Sequence, residues 1–295
     1  MFEKSSVFIL AESNCRHSVL KLETDANTQK AICGTFNQAQ ISLTENKNKI
    51  IFDGNYKPHD DEFLSISNFT LADEIKDAIR NPLGVHSYCK SEDKYPEIKA
   101  IFVGEKEDSN DKEVFRIAFQ RFKKEQYIST KPFNLFFDNK TFIQETRFGI
   151  SIADTIDCYY EDGELQFLSF YFARQIFDLS DYYRTATDHE VTTFAASDKL
   201  ALEDKDLFIA NANSWIRRKI ALINDSGVLN NNTACQIESL AKKIGVSVDV
   251  ADNKVVIPRD KEQVKIILGF LDEEAYKGPF TKKTFLANSK RTIGK

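Results

Sequence analysis

The first 55 residues alternate short apolar runs with polar turn clusters, at residues 7–10, 19–22, 31–36, 41–43 and 50–52, the last closed by Asp53-Gly54. Runs of this length between turn residues predict the strands of a meander. Leu71, Ala72, Ile75, Ala78 and Ile79 fall at helical spacing and Asn81-Pro82 stops them, so a short amphipathic helix is expected there. Apolar runs return at 98–103, 114–128 and 133–137, with 105–111 as a polar loop, and predict mainly strands. Val114, Phe115, Ala118, Phe119 and Phe122 also suit one face of a helix, which leaves that element type open. Between residues 148 and 170, Ile150, Ile152, Ile156, Cys158 and Tyr160 share one parity ahead of Asp162-Gly163, whose residues tolerate the left-handed positions of a tight turn. A hairpin is expected there.

Beyond residue 170 the pattern becomes helical. Residues 172–178, 180–194 and 204–223 carry few turn residues, and Asp225-Ser226-Gly227 supplies a C-terminal stop. A further helix is expected over 233–244, closed by Gly245, and then a small hairpin of 246–250 and 254–257 about Asp252-Asn253. Asp260 and Gln263 have capping spacing for a helix running to about Tyr276, which Gly278-Pro279 breaks. The whole reads as α+β: a sheet-rich antiparallel domain over 1–170, packed with a mainly helical domain over 171–295 that carries the small hairpin and a basic tail. No repeat or low-complexity linker separates the two.

A chain of 295 residues with 42% hydrophobic and 29% charged residues has the composition of a folded globular protein, and its 24 Phe exclude a disordered one. No apolar run approaches the ~18 residues of a spanning helix, and the apolar stretch after Met1 is too short for a signal peptide, so a cytoplasmic protein is expected. Five scattered cysteines, Cys15, Cys33, Cys89, Cys158 and Cys235, with no C-x-x-C pair, read as reduced thiols. The net charge of -5 argues against a generic nucleic-acid binder, but the charge is segregated along the chain. Residues 1–111 carry -6, 112–147 carry +4, 148–216 carry -9 and 217–295 carry +6. Residues 281–295 hold Lys282, Lys283, Lys290, Arg291 and Lys295 and no acid, an arrangement that attracts polyanions.

Enzymatic signatures are scarce. The eleven glycines form no phosphate loop. Asp188-His189-Glu190 lacks the second histidine of H-E-x-x-H and reads as a helix surface. A metal nuclease is the enzymatic alternative: Asp157 precedes the turn and Glu164 follows it, but Gln166 stands where a Glu-x-Lys pair needs its lysine. A winged-helix arrangement of the helices over 215–223 and 233–244 with the 246–257 hairpin would turn Lys242, Lys243 and Lys254 to phosphates, yet it lacks a recognition helix before the hairpin. Trp215 is expected as a core anchor, with Arg217, Arg218 and Lys219 at the helix surface as a second candidate phosphate site.

Three stretches together resemble the KwaB family of the Kiwa antiphage defence system: Phe170-Tyr171-Phe172-Ala173-Arg174-Gln175-Ile176-Phe177-Asp178-Leu179-Ser180-Asp181-Tyr182-Tyr183-Arg184, Leu271-Asp272-Glu273-Glu274-Ala275-Tyr276-Lys277-Gly278, and Asn288-Ser289-Lys290-Arg291. The resemblance implies a cytoplasmic DNA-binding protein that acts beside a small multi-spanning membrane partner of the KwaA type and is recruited by it to the inner membrane. No catalytic set, metal or cofactor comes with it. The expectation is therefore a non-enzymatic DNA-binding protein, a homo-oligomer, with Lys282, Lys283, Lys290 and Arg291 as tail candidates and Arg217, Arg218 and Lys219 as the helix candidates. A purely structural interaction subunit of a defence complex is the second alternative.

Overall fold

Alternating burial on both sheet faces organises the first part of the chain. In the computed structural model, which describes residues 1–12, 18–88, 98–109, 112–128 and 134–291, one unit comprises 1–52 with 58–178 and a second comprises 53–57 with 179–295. The first unit contains, in order, β1 (Val7–Ala11), β2 (Val19–Leu22), α1 (Ala26–Thr44), β3 (Asn48–Ile51), β4 (Glu62–Ile66), α2 (Asp73–Arg80), β5 (Ile98–Ser109), β6 (Lys112–Arg121), β7 (Tyr127–Ile128), β8 (Asn134–Asp138), β9 (Thr141–Glu145), β10 (Gly149–Ile150), β11 (Cys158–Glu161), β12 (Glu164–Phe167) and α3 (Phe170–Ile176). Eight strands form one sheet in the order β2-β1-β5-β6-β11-β12-β4-β3, antiparallel except for the parallel β3–β4 edge pair. The α+β class is as expected.

Local chemistry corrects the sequence reading at two places in this unit. The apolar runs at 31–36 and 41–43 are not meander strands but lie in α1, a 19-residue helix. Its buried residues Cys33, Phe36, Ala39 and Leu43 recur at three- and four-residue steps, and the Asp25 carboxylate accepts the N–H groups of Asn27 and Thr28 to cap it. The helix carries the chain from one end of the sheet order to the other, so β1 and β2 end one side and β3 the other. The expected polar loop at 105–111 is strand through Ser109, because β5 and β6 extend as a long hairpin with cross-strand ion pairs on its polar end. Arg116 meets Glu107 at 2.6 Å and Lys106 meets Glu113 at 3.1 Å. That hairpin also decides the open element type: residues 112–121 are strand.

One sheet face packs α1 with Phe2, Val7, Ile9, Ile101, Val103, Ala118 and Tyr159. The other carries an aromatic ladder in which Phe8 and Phe102, Phe102 and Phe119, and Phe119 and Phe177 have ring centroids 5.1, 5.3 and 4.9 Å apart. The β11–β12 hairpin turns through Asp162 and Gly163 at φ of 43° and 85°, as its Asp-Gly pair predicts.

The second unit holds α4 (Asp188–Ala195), β13 (Leu200–Leu202), α5 (Lys205–Ala210), α6 (Ser214–Ser226), α7 (Val228–Asn231), α8 (Ala234–Ile244), β14 (Val250–Ala251), β15 (Lys254–Ile257), α9 (Lys261–Leu271), β16 (Ala275–Lys277) and β17 (Thr284–Leu286). Phe194, Ile216, Ile220, Ile223, Ile237, Val255, Ile267 and Leu268 belong to its core. The expected helix over 204–223 is two helices, divided where the Asn213 side chain accepts the Ile216 N–H at 3.0 Å and starts α6 afresh. The helix expected over 180–194 begins as α only at Asp188, where Thr187 and Glu190 form a reciprocal capping box. The small hairpin forms about Asp252 and Asn253, and β13 joins it parallel to β15.

The helix expected to reach Tyr276 ends instead at Leu271, and residues 275–277 are strand β16, paired with β17. Glu273 at φ 57° takes the left-handed conformation that turns the chain out of α9, and the Glu274 N–H returns to the Gly269 carbonyl at 2.8 Å.

Candidate nucleic-acid interface

The cations of the second unit fall into two groups with opposite environments. Ile216, Lys219, Ile220 and Ile223 lie at helical spacing, so α6 turns Lys219 to the apolar side with them. Lys219 is buried, its Nζ 2.5 Å from both Asp272 Oδ2 and Glu274 Oε1, carboxylates that are themselves buried. Trp215, partly buried against the core as expected, places its ring 5.5 Å from the same ammonium. Lys290 completes this knot: its Nζ lies 3.1 Å from Asp272 Oδ1 and also donates to the Asp272 carbonyl.

Arg218 is buried as well. Its Nη1 donates to the Arg184 carbonyl at 2.8 Å, its Nη2 to the Asp53 carbonyl and Asn55 Oδ1 at 3.4 and 3.3 Å, and its guanidinium lies 4.3 Å from the Tyr183 ring centroid. Burial draws its pKa below the ordinary arginine value. Arg217, half-buried, donates to the carbonyls of Ala212 and Ala186 at 3.0 and 3.1 Å and pairs with Asp188 at 2.5 Å. The surface placement expected for Arg218 and Lys219 is therefore corrected: α6 turns both inward, where protein acceptors hold them.

The tail around Lys290 is tied rather than trailing. The Lys290 N–H donates to the Asn55 carbonyl at 3.1 Å, Ser289 Oγ accepts the Lys57 N–H at 3.0 Å, and the exposed Arg291 guanidinium lies 4.9 Å from the Tyr56 ring centroid. Lys295 lies outside the described residues.

The second group is on the β16–β17 hairpin. Lys277, Lys282 and Lys283 are exposed, and none has a carboxylate within ion-pair distance among the described residues. No Asp or Glu follows Glu274 in the sequence. The loop that carries Lys282 and Lys283 is closed on itself: the Gly278 N–H donates to the Lys283 carbonyl at 2.9 Å and the Lys282 N–H to the Gly278 carbonyl at 3.0 Å. Lys282 itself sits at φ 60°. Thr284 Oγ1 donates to the Ile244 carbonyl, fixing the hairpin to the end of α8, whose last turn bears Lys242 and Lys243. Lys277 was missed by the sequence reading because it lay in an expected helix end.

The metal alternative fares differently. Asp157, just before β11, accepts the Arg121 backbone N–H at 2.7 Å, and burial raises its carboxyl pKa. Glu164 sits beside the turn at the other end of the hairpin, across from Glu161, about four strand positions or ~13 Å along from Asp157. Burial would raise the Glu164 pKa, but hydrogen bonds from Lys49 at 3.0 Å and Ser65 at 2.8 Å outweigh it and hold the pKa below the ordinary value. The two carboxylates do not converge on one ion, and no cluster of His, Cys, Asp and Glu suited to a metal occurs among the described residues. Cys33 and Cys158 are buried free thiols and Cys235 is exposed, while Cys15 and Cys89 lie outside the described residues. No helix among the described residues is long and apolar enough to cross a membrane.

Comparison with protein families matches residues 107–281 to the family described as Kiwa protein KwaB-like. No curated protein and no solved structure matches the chain.

Proposed function

This chain belongs to the Kiwa KwaB-like family and is thereby an antiphage defence protein, and from that premise we propose that it holds DNA by the phosphate backbone, with no chemistry of its own. The observation that carries the reading is the contrast between its cations. Lys219, Arg218 and Lys290 are held by protein acceptors, whereas Lys282 and Lys283 stand exposed on a braced loop in an acid-free stretch. Lysines so placed meet phosphates without first losing a protein partner, and their contacts carry no base information. The binding is therefore sequence-tolerant.

The chain acts beside a small multi-spanning membrane protein of the KwaA type, which brings it to the inner membrane, and it assembles with copies of itself. Support for a protein partner comes from β8 and β9, which form a separate two-stranded hairpin exposing Leu135, Phe137 and Phe142 on one face and Phe136 and Ile143 on the other. A lone hairpin with two apolar faces is poorly stabilised by water.

An electrophoretic binding assay over a salt series, with and without magnesium, tests the reading. The expected result is retarded, intact DNA of any sequence, with binding weakened in the Lys282→Ala/Lys283→Ala double variant. Absence of binding at low salt overturns it. Magnesium-dependent cutting lost in Glu164→Ala would instead establish the nuclease. Fractionation without a partner gene checks the membrane clause, with recovery in the soluble fraction expected.

A further inference from the structure

We infer that the β16–β17 hairpin is a stacking platform for unpaired bases, so that the DNA engaged at this site is single-stranded or frayed; this rests on the DNA-binding reading and specifies its ligand. Tyr276 and Phe285 are directly opposed across the two strands, and their rings stack with centroids 5.4 Å apart and planes inclined by 22°. Their side chains share one face of the hairpin, and the opposite face carries Leu286 and Thr284, which touch the helices, together with the exposed Lys277. Leu286 presses on α9, its Cδ1 only 2.6 Å from where a Cβ on Gly269 would stand, and the Thr284 hydroxyl is bonded to the end of α8.

The two rings remain 51% and 40% exposed, and Phe280 at the loop tip is 95% exposed. The loop is not slack. Besides the two Gly278 hydrogen bonds that close it, the Phe285 ring lies over Gly278, with Cε2 3.0 Å from the position a Cβ would take. Gly278 thus lets the ring close down on the turn, and Phe280 is held out into water beside Lys282 and Lys283.

Three exposed rings are costly in water and idle against a closed duplex, which buries the faces of its bases in its own stack and offers phosphates outside. An unpaired strand offers both. Its base faces match the rings, and its phosphates match the lysines, the arrangement by which single strands are held without sequence preference. A wholly apolar protein partner would match the rings but leave Lys282, Lys283 and the acid-free stretch without counter-charge, so charge complementarity selects the polyanion.

The test compares the full-length protein with Phe280→Ala and Phe280→Leu, using fluorescence anisotropy with labelled oligo(dT) and with a blunt duplex of equal length. The parent is expected to prefer oligo(dT). Both variants should lose on the order of ten-fold in oligo(dT) affinity while duplex affinity is unchanged, since leucine keeps the apolar bulk but not the ring face. Phe280 supports no core, and circular dichroism checks that both variants fold. Parental oligo(dT) binding by either variant overturns the inference, as does equal loss on both ligands. Unaltered DNA binding with a changed assembly mass makes the tip a protein contact and likewise overturns it. If the parent binds duplex and not oligo(dT), the platform is refuted and the DNA-binding reading stands. If it binds neither, that reading fails first.

Discussion

Lys219 illustrates what a single residue can conceal. Read along the chain it belongs to an Arg-Arg-Lys cluster and invites a phosphate; read at helical spacing it shares a face with Ile216, Ile220 and Ile223, and its partners are in the Asp272-Glu273-Glu274 run. The burial was therefore legible in the period, whereas the pairing of residues 53 positions apart was not. Removing the ammonium takes from buried Glu274 the cation it pairs with and leaves Asp272 to Lys290, so Lys219→Met is expected to destabilise the fold by about 3 to 5 kcal/mol, measurable by urea unfolding. Loss of DNA binding in that variant would accompany unfolding rather than report a contact. Asp157 behaves in the opposite sense. Its folded-state pKa is raised by burial, so the native state binds the proton more tightly than the unfolded chain, and its contribution to stability is present at low pH and lost as pH rises through the folded value. Asp157→Asn keeps an oxygen for the Arg121 N–H and removes the buried charge. The variant should be at least as stable as the parent at neutral pH and should lose the parent's gain on acidification towards about pH 4. A parent whose stability at neutral pH exceeds that of the variant by more than about 1 kcal/mol would contradict this.

At the scale of elements, tight turns were the most readable signals. Asp162-Gly163 and Asp252-Asn253 both form the hairpin turns their residue types demand, because positive φ is a local requirement that few residues meet. Helix α1 was misread because Gly34, Thr35 and the scattered amides break its apolar stripe into strand-length pieces, and only the 33, 36, 39, 43 spacing and the Asp25 cap disclose it. The β16–β17 hairpin was misread for a different reason: a left-handed Glu273, which no residue preference announces, ends α9. That error hid the aromatic pair, since Tyr276 and Phe285 become neighbours only through the strand register. The β8–β9 hairpin makes its own prediction. If its two apolar faces are covered by a second copy of the chain, Phe137→Asp with Phe142→Asp places two like charges opposite each other and should lower the mass measured by light scattering to that of one protomer. A variant that keeps the parental mass excludes the hairpin from self-assembly.

For the whole molecule, the proposed DNA binding has to be reconciled with a net charge of -5. Its mean field opposes the approach, so affinity has to come from short-range contacts that displace counterions, and salt dependence counts them. On the proposed reading, the three exposed hairpin lysines, Lys277, Lys282 and Lys283, set the contribution of one protomer on duplex DNA. At about -0.9 per contact, one protomer gives a log-log salt slope of about -2.7 and two engaged together about -5.4. Raising salt from about 50 to 200 mM should then weaken binding about 40-fold in the first case and on the order of 2000-fold in the second. The slope thus reports how many copies hold the DNA, independently of the hydrodynamic mass. Lys282→Ala with Lys283→Ala should remove about 1.8 from the slope per engaged protomer and weaken all sequences alike. Half-buried Arg217 provides the contrast, because Arg217→Lys perturbs a site held by the Ala212 and Ala186 carbonyls and should leave the slope unchanged. A slope near zero in the parent would mean that phosphates are not what this protein holds, whereas a parental slope retained in the lysine variant would move the contact elsewhere on the second unit.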